Sequence, residues 1–289
     1  MTSSLTSRGP LSRVRLRRSG SRVDKVVVVT GAFIALLVIT AVFAPWIAPS
    51  DPNFGSILSS NQGPSAAHLL GTDSFGRDIL SRLIYGARLS LLGPALIIVI
   101  STSIGTVLAI ACAWFGGWFD QVVSRVADIL FAFPGLILAM LAVAMFGPGL
   151  VAPVIALSIA YTPYLLRVIR SEALRQRNLP YVAACYVGGL SARTICTRHI
   201  LPNVTPLLIV QATLSFGYAL VDLAAVSYLG LGVQPPTAEW GIMVSTGQSS
   251  ILAGHPQESL FAGVMIIVTV VAFNLLGDRL AARQSTARS

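Results

Sequence analysis

The sequence predicts an all-α integral membrane protein with six transmembrane helices, and three observations carry that prediction. Hydrophobic residues make up 54% of the 289 and charged residues only 11%, with a mean hydropathy of +0.77, far from the balance of a soluble domain. Uncharged stretches long enough to cross a bilayer, which takes about 20 mostly apolar residues, recur along the chain. Arginines also collect in alternate connections between those stretches, as the topology of an inserted chain requires.

The first uncharged interval is 26–50, between Lys25 and Asp51. Its apolar run exceeds that of a secretory signal, and no convincing small-residue cleavage site follows Pro45-Trp46, so a retained anchor is expected. An extracytoplasmic segment, 51–88, comes next. Gly71 and Gly76 around Thr72-Asp73-Ser74 read as a turn cluster with helix-capping side chains. From Arg77 onward Ile79, Leu80, Leu83, Ile84 and Ala87 recur at helical spacing. Arg77, Ser81 and Arg88 share the other face, and Asp78 and Arg82 form an i,i+4 pair. The pattern predicts a short helix lying at the outer interface and leading into the second span. Asp73, Arg77 and Asp78 are candidates for an outer gate or a partner interface.

The second span is 89–119. The interval 129–166 is too long for one helix, and Gly147-Pro148-Gly149 divides it into two. Spans at 200–221 and 260–277 complete the six. Between these last two, Gly230 and Gly232 end a helix, Pro235-Pro236 stiffens a turn, and Trp240 is placed for the membrane interface. Trp240 joins the outer gate or interface candidates. Asp222 sits about two turns from the outer end of the fifth span, where a carboxylate is costly unless it faces water or a partner. Two readings stay open for it: lining of a pathway, meeting the amino group of a cargo, or a structural bond to a neighbouring helix.

Orientation follows from the basic residues. Arg8, Arg13, Arg15, Arg17, Arg18, Arg22 and Lys25 precede the first span, and later even-numbered connections and the C-terminus bring one side to 17, against Arg77, Arg82 and Arg88 on the other. Both termini are therefore expected in the cytoplasm, with a basic tail over 1–25 and a short tail over 282–289. The net charge of +9 is accounted for by topology and by attraction to anionic membrane lipid, with no nucleic acid involved.

Absences narrow the function. The sole lysine is Lys25, so no phosphate-binding G-x-x-x-x-G-K-[ST] loop exists here. Cys112, Cys185 and Cys196 have no paired-ligand spacing, and His68, His199 and His255 are scattered; no metal site is expected. Charges inside spans are scarce, which weakens a stand-alone secondary transporter, the alternative reading.

One stretch remains, "YVAACYVGGLSARTICTRHILP" at 181–202. If a helix begins at Tyr181 after Pro180, then Tyr181, Ala184, Cys185 and Gly188 share one face. Three of the four are small and permit close approach of another surface. Gly188-Gly189 ends that helix, and Pro202 fits the first turn of the next span. So short a helix is marginal in water alone; it needs a partner surface.

The same stretch is similar to the cytoplasmic signature E-A-A-x3-G-x9-I-x-L-P of permease subunits in ATP-binding-cassette (ABC) importers of the dipeptide/oligopeptide/nickel family. It places Ala183-Ala184-Cys185, Gly189, His199, Leu201 and Pro202 on the motif, with Ala183 for the acid, Cys185 for the second alanine and His199 for the isoleucine. "LGTDSFGRDILSRLIYGARLSLL" (70–92), "GGWFDQVVSRVADILFAFPGLIL" (116–138) and "LGLGVQPPTAEWGIM" (229–243) resemble the C-type member of the usual permease pair. The family's usual acid near the end of the fifth span aligns with Leu223, one residue past Asp222. The resemblance implies the type I importer permease fold, with a five-helix core over 89–281 and a cytoplasmic coupling loop over 171–202. It implies ATPase-coupling roles for Tyr181, Ala183, Ala184, Cys185, Gly188, Gly189, Leu201 and Pro202. It also implies that this chain binds no cofactor, ATP and Mg being used by partner ATPase subunits. A second permease subunit and an extracytoplasmic substrate-binding protein complete the partners, in a bacterial plasma membrane. Peptide is the expected cargo, with nickel and haem as alternatives.

Overall fold

A computed structural model describes residues 25–288, with side chains to residue 283. The basic tail upstream of Lys25, with the six arginines expected to set orientation, lies outside the described residues, as do the side chains of the last few. Among the described residues, twelve α-helices follow one another: α1 (Lys25–Val42), α2 (Ala44–Ile47), α3 (Ile79–Phe115), α4 (Gly117–Phe131), α5 (Gly135–Phe146), α6 (Val151–Arg177), α7 (Pro180–Val187), α8 (Ala192–Ile195), α9 (Leu201–Tyr228), α10 (Trp240–Thr246), α11 (Gln248–Leu252) and α12 (Gln257–Arg288). A π-turn over Cys196–Ile200 joins α8 to α9 without a break, giving one helix of 37 residues.

Five of these helices are long and apolar enough to cross a membrane, and the α4–α5 pair supplies a sixth span if counted as one. That pair departs from the sequence reading. The sequence predicts one helix from 129 to the Gly147-Pro148-Gly149 break, but α4 and α5 meet at 83° within it. Pro134 explains the break: its ring excludes the helical conformation from Phe133 and lacks the donor that would continue the ladder. A second correction concerns the short interfacial helix expected before the second span. It does not exist as a separate element; α3 starts at Ile79 and runs unbroken through the span. Its start is fixed by Asp78, whose Oδ2 accepts from the Ser81 N–H at 2.8 Å, an N-cap. Asp78 therefore spends its carboxylate on the cap and does not pair with Arg82.

The helices bury two apolar clusters. The larger joins α1, α3, α5, α6, α9, α10 and α12 through Leu37, Ile97, Ala139, Leu157, Leu223, Trp240 and Ala262, with Phe216 stacked on Phe273 at 3.9 Å between centroids. The smaller lies at the other end and gathers Ala109, Ala113, Ile169, Val182, Ile195 and Val204. Small residues let the backbones approach, as membrane helices require: a Cβ on Gly105 of α3 would already touch the Leu165 Cβ of α6 at 3.3 Å. The loops 48–78 and 229–256 cover the end near the larger cluster, here termed the cap end. The opposite end carries α7 and α8. Among the described residues there are no strands, only isolated bridges Gly55–Arg77 and Thr72–Asp78.

The cap helix α10 lies directly on α9, because Gly241 has no side chain to hold it off. A Cβ there would sit 2.6 Å from the Ala224 carbonyl oxygen and 2.8 Å from its Cα. Neither backbone atom can move independently. Gly241→Ala is expected to lower the thermal unfolding midpoint of the detergent-solubilised protein, at a cost of about 1–3 kcal/mol. Gly263→Ala, where an added Cβ meets nothing within 4 Å, is expected to hold or raise that midpoint through helix propensity.

Candidate functional site

At the α7 end, Pro180 opens a helix of eight residues. The helix closes with paired bonds: Leu190 N–H donates to the Cys185 carbonyl and Gly189 N–H to the Tyr186 carbonyl, both at 3.1 Å. This is a Schellman termination, and it needs the left-handed φ of +79° that Gly189 supplies. Two residues on, Ser191 caps α8 by accepting from Thr194 N–H. The chain thus ends one helix and starts the next within a few residues.

Which face of α7 meets the body is settled by Val182, buried in the smaller cluster, with Tyr181 and Cys185 packed beside it. Tyr181 is more than a packing residue. Its hydroxyl donates to Gln176 Oε1 of α6 at 3.0 Å and accepts from Asn203 Nδ2 of α9 at 3.3 Å. Gln176 in turn donates to Glu172, which holds Arg175 through two bonds. Burial raises the Tyr181 pKa, so the hydroxyl keeps its proton for Gln176. The outward surface therefore differs from the face expected from sequence. Tyr181 and Cys185 turn inward, while Ala183, Ala184, Gly188 and Gly189 are exposed. Tyr186 and Val187, 70% and 87% exposed, escaped the sequence reading because the small residues form the plainer pattern. Placing Val182 inward turns 183 and 187 away from the body, but Tyr186 lies four residues from Val182, where helical spacing points inward; its exposure is visible only in the fold.

Beside this face opens a cleft of about 490 Å³ between α7 and the Trp114–Arg177 pair. Arg177 donates to the Ala113 carbonyl at 2.6 Å, closing the end of α3, and lies over the Trp114 ring. Leu201 and Pro202 sit apart from the exposed face, at the root of α9. Pro202 has no N–H for the helix ladder, and the π-turn just before it, with Leu201 N–H reaching back to Cys196, absorbs the irregularity.

At the cap end the four expected gate or interface residues are all buried: Asp73 1%, Arg77 5%, Asp78 2% and Trp240 0% exposed. They form an interior, not a surface. Asp73 accepts from Arg77 Nε at 2.6 Å and from the backbone N–H of Phe75 and Arg77. Arg82 Nε lies 3.5 Å from Asp73 and 3.9 Å from Glu258, and its Nη1 donates to the carbonyls of Pro52 and Pro236. Two acids thus balance two arginines. Asp78 accepts from Ser81 Oγ and lies 3.0 Å from His68 Nδ1. Trp240, expected at the lipid interface, donates from Nε1 to the Leu83 carbonyl at 3.0 Å. Glu239, which sequence reading passed over, caps α10 through the N–H groups of Gly241 and Ile242 and accepts from Ser90. Burial pushes its carboxyl pKa up against those bonds.

Asp222 faces neither cluster. Its Oδ2 accepts from the Tyr161 hydroxyl of α6 at 2.8 Å, at the edge of a cleft of about 550 Å³ that reaches the α4–α5 break. Nearby, the Tyr164 hydroxyl donates to Gln211 Oε1 at 2.9 Å.

Arg82 is the common element of the cap, and removing it leaves Glu258 buried without a cation, while Asp73 keeps Arg77. Arg82→Ala is expected to cost about 3–5 kcal/mol, because an uncompensated buried charge is left behind. The double change Arg82→Met with Glu258→Met is expected to cost less than Arg82→Ala alone. Thermal unfolding of the three proteins in detergent checks the order.

Comparison with known proteins identifies the family. Residues 103–287 match the family described as binding-protein-dependent transport system inner membrane component, and residues 22–64 match the N-terminal TM domain of oligopeptide transport permease C. The glutathione transport system permease protein GsiD of Escherichia coli O6:K15:H31 is 39% identical over 249 residues, covering 86% of this chain and 82% of that one. Its namesake in Pectobacterium atrosepticum is 38% identical over 256 residues, 88% and 85% of the two chains. A crystal structure of an amino acid ABC transporter with histidines overlaps 70% of this chain and 94% of that one, at 19% identity and a TM-score of 0.47. The family matches and the sequence relatives together place the chain: it belongs to the binding-protein-dependent transport system inner membrane components, as a multi-pass ABC importer permease of the dipeptide/oligopeptide family.

Proposed function

We propose that this chain forms half of the transmembrane pathway of an importer for short peptides, driven by ATPase subunits that grip α7. A second permease subunit completes the pathway, and an extracytoplasmic binding protein delivers cargo to the cap end. ATP and Mg belong to the ATPase chains, since no phosphate loop can be built around Lys25. The α7 end is cytoplasmic in this reading: Arg170, Arg175, Arg177, Arg193 and Arg198 lie there, consistent with the positive-inside rule. Relatives that bear the name of glutathione transport support a small peptide as cargo.

The observation that carries the proposal is the construction of α7. Its outer face presents Ala183, Ala184, Tyr186 and Val187 beside a cleft, while Tyr181 on its inner face bonds both α6 and α9. Large apolar groups on a water-facing helix mark a site for another protein. The inward bonds transmit what that protein does. With Ala183 where the family has an acid, the grip rests on shape and on Tyr186 rather than on a carboxylate. A stand-alone carrier has no use for such a surface, and no observation favours one.

Tyr186→Asp keeps the inward bonds of α7 and is expected to reduce co-purification of the ATPase subunits and ATP-driven dipeptide uptake in proteoliposomes by about 10-fold or more, as for the loss of an interface anchor. Gly189→Arg, which forces a side chain onto a left-handed backbone at the same face, is expected to act in the same direction. Full uptake and full ATPase recovery in both variants would remove α7 as the coupling element.

A further inference from the structure

Asp222 poses a charge problem that the chain does not solve. It lies six residues before the end of α9 at Tyr228, hence about 9 Å along the helix, inside a membrane-spanning segment. A carboxylate there is costly unless it is paired or hydrated. Its Oδ2 has the Tyr161 hydroxyl at 2.8 Å. Among the described residues no Arg, Lys or His stands within ion-pair distance of it. Asp73, Asp120, Asp128 and Glu172, by contrast, each find a cation.

The surroundings say what kind of group is missing. The cleft of about 550 Å³ next to Asp222 is walled by Phe131, Phe133, Tyr161, Tyr164 and Tyr218. Aromatic faces and one carboxylate recognise an ammonium group, through cation–π attraction and a charge-assisted hydrogen bond. A divalent metal ion would need several anionic or imidazole ligands, and no group of three or more His, Cys, Asp or Glu gathers among the described residues. The polar groups also form a track. Gln211, Ser215, Tyr218 and Asp222 recur at helical spacing along one side of α9, and Tyr161 and Tyr164 follow the facing side of α6. A polar track of this kind belongs on water or on protein, not on lipid.

We propose that Asp222, oriented by Tyr161, is a subsite for the ammonium group of a peptide in transit. The inference rests on the import reading above and adds to it a sign of charge and a place. Cargo released at the cap end meets this carboxylate within the outer part of α9, with its ammonium against Asp222 and its body over the aromatic wall. Tyr161 is a positioning residue; it holds one carboxylate oxygen and leaves Oδ1 for the cargo.

The test uses the intact complex, with both permeases and the ATPase subunits, in proteoliposomes with the binding protein outside. Dialanine and glutathione are the probes, because each carries a single ammonium group. Asp222→Asn is expected to lower uptake of a transported probe by about 10-fold or more, the usual worth of a hydrogen bond between charged groups. Asp222→Glu is expected to restore part of it. The thiol introduced by Asp222→Cys is expected to react with the cationic reagent 2-aminoethyl methanethiosulfonate, and saturating dialanine with ATP is expected to slow that reaction; dialanine is the probe for this arm because the glutathione thiol would itself consume the reagent. Uptake by Asp222→Asn at the original rate overturns the subsite, as does a reaction of the introduced thiol that is absent or indifferent to probe. Failure of Asp222→Asn to assemble with the second permease also overturns it, in favour of an ion pair between subunits. If the unaltered complex takes up neither probe, the import reading fails and the subsite with it.

Discussion

The cap end of this protein is organised around one guanidinium. Arg82 enters near the start of α3 with its side chain 1% exposed, in surroundings where an unpaired charge cannot persist. Its neutralisation draws in four separate parts of the chain: Asp73 from the loop before α3, Glu258 from α12, and the carbonyls of Pro52 and Pro236 from two loops. Because these partners are far apart in sequence, the cluster does what local structure cannot. It fixes two long connections, one of which carries only the short helices α10 and α11, against the helices beneath them. Thr246 of α10 also donates to Glu258, so the short cap helix is tied to the same node. Loss of either carboxylate leaves the guanidinium short of counter-charge, and loss of either carbonyl leaves a buried donor unpaired.

The opposite end uses neutral hydrogen bonds in place of buried ions. Tyr181 joins α7 to α6 and α9 with one hydroxyl, donating to Gln176 and accepting from Asn203. Because α7 ends in a Schellman turn and α8 begins at once, there is little slack between the exposed face of α7 and the helix that continues into α9. That helix spans 37 residues, about 55 Å at 1.5 Å per residue. The π-turn at Cys196–Ile200 and Pro206 within α9 are the points where its hydrogen-bond ladder is interrupted.

Much of this was legible in the sequence, for identifiable reasons. The apolar runs located α1, α3, α6, α9 and α12, and Pro180 with Gly188-Gly189 located α7. Hydropathy hid the α4–α5 bend, since Phe131 to Gly135 carries no charge and only Pro134 signals it. The starts of α3 and of the α8–α9 helix lie beyond the apolar intervals because each is set by a polar cap, Asp78 on Ser81 N–H and Ser191 on Thr194 N–H, which hydropathy does not register. Asp73, Arg77, Asp78 and Trp240 read as surface groups, as charged and indole side chains usually do. Trp240 is held by Ser90 and Leu83, which no local pattern brings near; Asp73, Arg77 and Asp78 bond near neighbours in sequence, and only the fold of the cap over them shows that they are buried. The inward turn of Tyr181 had the same cause: Gln176 is close in sequence, but Asn203 arrives only through the fold.

The two ends are joined by the same pair of helices, and this has a thermodynamic consequence. At one end α6 and α9 are bridged by Tyr181; nearer the cap they are bridged by Tyr161 and Asp222. In the proposed importer, a change in the separation of α6 and α9 at Tyr181 is expected to reach the Tyr161–Asp222 bond through the helices between, with Pro163 and Pro206 as their points of give. Linkage is reciprocal: under that proposal, a group bound at Asp222 would shift the preference of α7 by the same free energy. A cargo that engaged Asp222 would then do more than pass through. By replacing or completing the bond to Tyr161, it would favour one spacing of the two helices over the other, so that the same carboxylate that recognises the cargo reports its presence to the ATPase.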